Sequence, residues 1–147
     1  MTLEAAALHG SCVARDGAGV LLLGSPGSGK SDLALRLIGR GFILVGDDQL
    51  IVSAGIIRSA PALAGLLEVR GLGILRLPFQ PQARLTLVVR LAEPERLPSP
   101  ERHETGAPVI AINPFAASAP DIVALALDCA LGRLQQVVGA FVSAGGQ

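Results

Sequence analysis

The rhythm of hydrophobic and polar positions changes several times along the chain, and each change marks an element. Residues 8–14 read as a short strand and residues 20–23 as a second, with Asp16-Gly17-Ala18-Gly19 between them as a turn. The two can pair as a hairpin, so the sheet is expected to be mixed. From Lys30 the period lengthens. Leu33, Leu37 and Ile38 fall on one face of a helix that should stop near Gly39-Arg40-Gly41. Phe42-Ile43-Leu44-Val45 is a continuous apolar run, as a buried strand requires, and it ends at Gly46-Asp47-Asp48. Residues 50–52 and 56–57 pattern as a hairpin about Ser53-Ala54-Gly55. Residues 61–69 have helical spacing and end in Arg70-Gly71-Leu72-Gly73. Residues 74–77 and 85–91 are strand-like. Residues 92–106 are polar, proline-rich and without period, so an exposed, mobile loop is expected. A short strand at 109–112, an apolar-faced helix from Asp121 to about Val138, and a frayed tail at 144–147 complete the chain. Strands alternating with helices put the fold in the α/β class.

The second strand and the first helix are joined by Gly24-Ser25-Pro26-Gly27-Ser28-Gly29-Lys30-Ser31, which fits G-x-x-x-x-G-K-[ST] at every fixed position. The glycines let successive backbone N–H groups point inward at phosphate oxygens, and the helix adds the positive end of its dipole. Lys30 can reach the outer phosphates, and the Ser31 hydroxyl can hold a magnesium ion. Three glycines alone would also suit a capping turn. The Lys-Ser pair, the strand before and the helix after favour a nucleotide-phosphate site. Asp47 and Asp48, directly after a buried strand, sit where open α/β sheets place ligand chemistry.

Composition narrows the setting. The 147 residues suit a single domain, 1–147. Half are hydrophobic, 16% are charged, and all four aromatics are Phe, so the core must be built from Leu, Val, Ile and Ala. So apolar a chain is expected to cover part of its surface in a homo-oligomer. Twelve basic and twelve acidic residues cancel, and no basic tract is present, which leaves nucleic acid binding without support. Cys12 and Cys129 lack a C-x-x-C partner and read as buried thiols in a reducing compartment. The start, Met1-Thr2-Leu3-Glu4, lacks the order of a signal peptide, and no apolar run is long enough for a bilayer. A cytoplasmic protein without membrane partners is expected.

One further stretch, Leu67-Glu68-Val69-Arg70-Gly71-Leu72-Gly73-Ile74, sets an isolated acid in an apolar context before a Gly-x-Gly turn. Taken in order with His9-Gly10, Gly24 to Ser31 and Leu44-Val45-Gly46-Asp47-Asp48, it resembles the HPr kinase/phosphorylase family. The resemblance covers residues 8–77 well and the rest loosely, and looks like the short proteobacterial form with the catalytic domain alone. It implies a P-loop α/β fold with mixed sheets, related to the nucleotide-binding part of phosphoenolpyruvate carboxykinase. The activity implied is ATP- and Mg2+-dependent phosphorylation of a serine on the phosphocarrier protein HPr. In reverse, inorganic phosphate attacks the phosphoserine and pyrophosphate is released. A homo-oligomer, a hexamer in the family, is implied as well.

The resemblance also distributes roles. Asp47 would be the base that takes the serine proton. Ser31 and Glu68 would hold magnesium, with water completing its shell, and Lys30 would neutralise the outer phosphates. His9 matches a family histidine that could orient Asp47 or an incoming phosphate; it reads equally as a satisfied strand histidine. Arg96 aligns loosely with a family arginine at the transferring phosphoryl group; it reads equally as a solvated loop residue. Glu68 could instead pair with Arg70. One departure bears on the phosphorylase half of the activity: where the family has a basic, Pro-rich loop before the last helix, residues 108–114 carry no Lys or Arg. Two other readings share the scaffold, a kinase for a small hydroxylated molecule and a non-catalytic nucleotide-binding regulator.

Overall fold

Local backbone chemistry sets the first hairpins. In the computed structural model, which describes residues 5–143, β1 (Ala6–Arg15) and β2 (Ala18–Leu23) are joined by Asp16 and Gly17 at φ of 54° and 78°. β3 (Ile43–Ser53) and β4 (Ile56–Ser59) are joined by Ala54 and Gly55 at 53° and 78°. Positive φ at both central residues is type I′ geometry, whose twist matches the flanking strands. The first turn is thus shorter than expected: Ala18 and Gly19 already pair with Arg15 and Ala14. The remaining elements are α1 (Lys30–Ile38), β5 (Leu66–Val69), β6 (Gly73–Arg76), β7 (Gln82–Leu91), β8 (Val109–Ile112) and α2 (Ala119–Ala130).

Six strands form one sheet in the order β2-β1-β3-β4-β7-β8, and β2 also pairs with β7. Five of them therefore close into a ring. β8 extends β7 beyond the point where β4 stops: β4 faces residues 82–84 of β7, and β8 faces residues 88–91. The β1–β2, β1–β3, β3–β4 and β4–β7 pairs are antiparallel; β2–β7 and β7–β8 are parallel. The mixed sheet expected from the hairpin is present. The parallel trio has a consequence for the site. The C-terminal ends of β2, β7 and β8 share one edge, so the loops that leave them gather there, as ligand-binding loops do in α/β sheets.

Strand alternation divides the core in two. Val13, Val20, Leu22, Leu87 and Val89 point at the helices and pack with Leu33, Leu37, Val123 and Leu127. Cys12, Ala14, Leu21 and Val88 point into the ring and pack with Leu50, Val52, Ile57 and Val109. Both faces are covered along β2 and along Leu87-Val88-Val89 of β7, which is why β2 and that centre of β7 are apolar without interruption. Each fully buried Leu or Val contributes roughly 1.5–3 kcal/mol.

Three expectations are corrected. Residues 61–69 are not one helix. Pro61–Leu63 make a single 3-10 turn, Gly65 takes φ of 76°, and Leu66–Val69 pairs antiparallel with β6. A side chain at Gly65 would stand 2.9 Å from the Phe79 ring and 3.0 Å from the Leu77 carbonyl, so only glycine lets the chain reverse there. β3 does not end at Gly46-Asp47-Asp48 but runs on to Ser53, because β1 supplies partners as far as Ala6. α2 stops at Ala130, not near Val138. Gly132 takes φ of 75°, and the N–H groups of Gly132 and Arg133 return to the carbonyls of Cys129 and Asp128, a glycine stop. The tail at 144–147 lies outside the described residues. Among the described residues no helix is long and apolar enough to cross a membrane.

Candidate nucleotide-phosphate site

The loop leaves β2 at Gly24 and enters α1 at Lys30. Gly27 and Gly29 have φ of 80° and 102°, conformations strained for residues with a Cβ. No side chain caps α1, so the N–H groups of its first turn are left for a ligand, and an anion is what they attract. Lys30, the only lysine in the chain, donates to the carbonyls of Gly24 at 2.6 Å and Ser25 at 3.1 Å. The amine thus lies along the loop with a third N–H to spare. The Ser28 hydroxyl is buried and makes no hydrogen bond among the described residues. It stands against Gly24, where a Cβ would collide with it.

Asp47 reaches the loop from β3. It lies opposite Ser11 in the ladder, and Ser11 Oγ donates to Asp47 Oδ1 at 2.5 Å. Ser31 Oγ donates to Oδ2 at 3.0 Å and lies 3.2 Å from Oδ1. β1, β3 and α1 each supply one side chain to this cluster. Ser11 is wholly buried, and Asp47 is half-buried. A bulge sets the aim: Cys12 pairs with Gly46 and Val13 with Leu44, leaving Val45 as the extra residue. Because Cys12 faces the ring and Val13 the helices, Ser11 and Asp47 fall on the helix side, beside α1. The approach needs glycine before Asp47. A Cβ at Gly46 would stand 2.7 Å from the Leu50 side chain and 2.8 Å from that of Ser59.

Across the loop stands the β5–β6 hairpin. Glu68, Val69 and Arg70 line one cavity of about 470 Å³ with Gly27, Gly29, Lys30 and Ser31, a volume in the range of small-molecule sites. Ser31 joins the two sides, since it lines the cavity and also donates to Asp47. Glu68 is exposed and makes no hydrogen bond or ion pair among the described residues, so its alternative pairing with Arg70 is not realised. Magnesium takes oxygen ligands, keeps several waters, and in nucleotide sites uses only one or two protein groups besides phosphates. The Ser31 hydroxyl, already bonded to the Asp47 carboxylate, and the unpartnered Glu68 carboxylate fit that requirement. Among the described residues no cluster of three His, Cys, Asp or Glu could cage an ion alone, so an ion here would rely on nucleotide phosphates.

Two expected residues fall elsewhere. His9 does not contact Asp47; its Nδ1 lies 3.8 Å from Asp48 Oδ1, with both side chains exposed. Asp48 takes φ of 74°, which breaks the strand alternation at that residue. The β1 residue that touches Asp47 is Ser11, which sequence patterning gave no reason to choose. Arg96 lies exposed on the segment after β7, makes no hydrogen bond or ion pair among the described residues, and does not line the cavity. The guanidinium that does line it belongs to Arg70. The segment bearing Arg96 is pinned further along, where Arg90 grips Glu101 through two hydrogen bonds of 2.7 and 2.9 Å. That grip holds the Glu101 carboxyl below its usual range. Cys12 is buried as expected, whereas Cys129, read as a buried thiol, is only half-buried; burial pushes the Cys12 thiol far above its usual range, and burial with the neighbouring Asp128 raises Cys129.

The family described as HPr Serine kinase C-terminal domain matches residues 2–107. The HPr kinase/phosphorylase of Xylella fastidiosa is 39% identical over 111 residues, 67% of this chain and 35% of that protein. The HPr kinase/phosphorylase of Clostridium tetani is 47% identical over 75 residues, 48% of this chain and 25% of that protein. The chain thus spans about a quarter to a third of the length of these curated relatives. Among solved structures, the Hpr(Ser) kinase/phosphatase from Coxiella burnetii matches with a TM-score of 0.69 at 26% identity, over 87% of this chain and 92% of that one.

Proposed function

The chain belongs to the HPr serine kinase C-terminal domain family, and on that premise we propose that it transfers the γ-phosphoryl group of ATP, with Mg2+, to a serine of an HPr-type phosphocarrier protein. The observation that carries this reading is Asp47, a carboxylate 3.0 Å from the phosphate-loop Ser31. A serine hydroxyl is a poor nucleophile until a base takes its proton. Asp47 accepts that proton as the serine oxygen bonds to the γ-phosphorus. The bond to the β–γ bridging oxygen breaks, and its electron pair leaves with ADP. Lys30 and the N–H groups of the loop hold the charge on the phosphates, and Ser11 holds Asp47 in place. Ser31 and Glu68 would hold Mg2+, which would supply positive charge to offset the charge on the phosphates. His9, beside Asp48, and Arg96, on the segment that leaves the same sheet edge as the loop, are accessory groups in this reading. Arg96 would have to swing inward to meet a phosphoryl group. The absence of Lys and Arg from residues 108–114 favours the forward transfer over phosphorolysis.

The test is incubation with ATP, Mg2+ and the purified phosphocarrier from the same cell, with mass spectrometry to locate a phosphoserine. Asp47→Asn should lower transfer by about 10²- to 10⁴-fold while ATP still binds. Full activity in this variant would remove Asp47 as the base. A wild-type protein that binds ATP and transfers nothing would be a nucleotide-binding regulator. Self-association belongs to the same proposal. Ile122 and Leu125 of α2, with Val137 beyond it, are exposed and would be covered by a second copy; a monomer in sedimentation at micromolar concentration would count against it.

A further inference from the structure

Phe115 stands apart from the other three aromatic residues. Phe42 is buried, Phe141 packs against the helix-side core and Phe79, 38% exposed, lies against Gly65, whereas Phe115 is 74% exposed. Yet its backbone is held on every side. The Phe115 N–H donates to Asn113 Oδ1 at 2.9 Å, and the Ala116 N–H donates to the Asn113 carbonyl at 3.2 Å. Arg36, from α1, donates to the carbonyls of Pro114 and Ala116 on either side. The segment follows β8, whose C-terminal end shares the sheet edge of the phosphate loop. The ring therefore lines the cavity above the entrance to α1, 3.5 Å from where a Cβ at Gly29 would be. An apolar ring presented rigidly to water, at the mouth of a cavity, is a surface made for a partner.

The lining combines two chemistries. Lys30, Ser31, Asp32, Glu68 and Arg70 are polar or charged, while Phe115, Leu35 and Val69 are apolar. A ligand with a polyphosphate at one end and a flat, apolar-faced ring at the other matches both. We propose that Phe115 is the platform on which the purine base of the bound nucleotide stacks, with Leu35 and Val69 beside it. This rests on the nucleotide reading above and adds to it the residue that distinguishes a nucleotide from a bare polyphosphate. Every base offers a π face, so such stacking holds the base without hydrogen-bond readout.

The experiment compares ATP with inorganic tripolyphosphate, each with Mg2+, by calorimetry on wild type, Phe115→Ala and Phe115→Trp. Phe115→Ala should weaken ATP about 5- to 150-fold and leave tripolyphosphate unchanged. Phe115→Trp should keep ATP affinity. The chain has no other tryptophan, so its fluorescence should report ATP and ignore tripolyphosphate. Equal losses for both ligands in Phe115→Ala, or no loss for either, would overturn the assignment. Unchanged ATP affinity with reduced transfer to the phosphocarrier would overturn it too, and assign the ring to the protein acceptor. Wild type binding tripolyphosphate as tightly as ATP would sink the stacking role and leave the phosphate loop standing. Wild type binding neither would sink both readings.

Discussion

Asp47 and Glu68 flank the same phosphate loop and are built in opposite ways. Asp47 lies inside β3, in a sheet of six strands, and two serine hydroxyls donate to its carboxylate. Glu68 lies in a two-stranded ribbon, exposed and without a partner among the described residues, and the neighbouring Leu72 and Ile74 are each 70% exposed. A carboxylate gripped by its own sheet keeps its position before any ligand arrives, which suits a group that must meet a reacting proton. A carboxylate on a ribbon with few contacts can follow an ion whose position depends on the nucleotide. Under the proposed function, the contrast would put chemistry on the rigid wall and ligand adjustment on the soft one.

The contrast can be broken by substitution, beginning with the loop that both walls flank. Lys30→Ala should cost about 10²- to 10³-fold in kcat/KM, together with ATP affinity in a binding titration; unchanged values would contradict the phosphate assignment of the loop. Glu68→Gln should raise the Mg2+ concentration needed for half-maximal transfer by about 10- to 100-fold, with activity recovered at high Mg2+. A loss that no amount of Mg2+ restores would place Glu68 with the chemistry and erase the difference between the walls. Ser11→Ala removes one of two hydroxyl donors to Asp47 while Ser31 remains. It should lower kcat about 2- to 10-fold, from the net worth of one hydrogen bond, and leave KM for ATP unchanged. An unaltered kcat would mean that the ladder and bulge alone hold Asp47.

What could be read from the chain tracks how local the information is. The Gly24 to Ser31 loop is contiguous. Its glycines, lysine and serine specify their own backbone, and the apolar strand before it and the Leu33-Leu37 face after it specify the flanks. The first hairpin was legible for the same reason, although its turn is Asp16-Gly17 and not the four residues from Asp16 to Gly19. Residues 61–69 misled because Leu63, Leu66 and Leu67 fit a helical face, while the reversal at Gly65 is imposed by Phe79 and Leu77 from outside the segment. α2 was overrun because apolar spacing persists past Gly132, where the backbone turns over.

The sequence by itself determined the Gly24 to Ser31 loop, the mixed α/β character and the candidate acids, because contiguous glycines, turns and apolar periods act through neighbouring backbone. Only the tertiary structure decided which partners those groups have. Ser11 meets Asp47 across 36 residues through a ladder register shifted by the bulge at Val45. His9 went to Asp48, and Arg70 and Phe115 reached the cavity that Arg96 did not. None of these has a local signature, because strand register, bulge position and the meeting of parallel strand ends depend on how distant segments share one core.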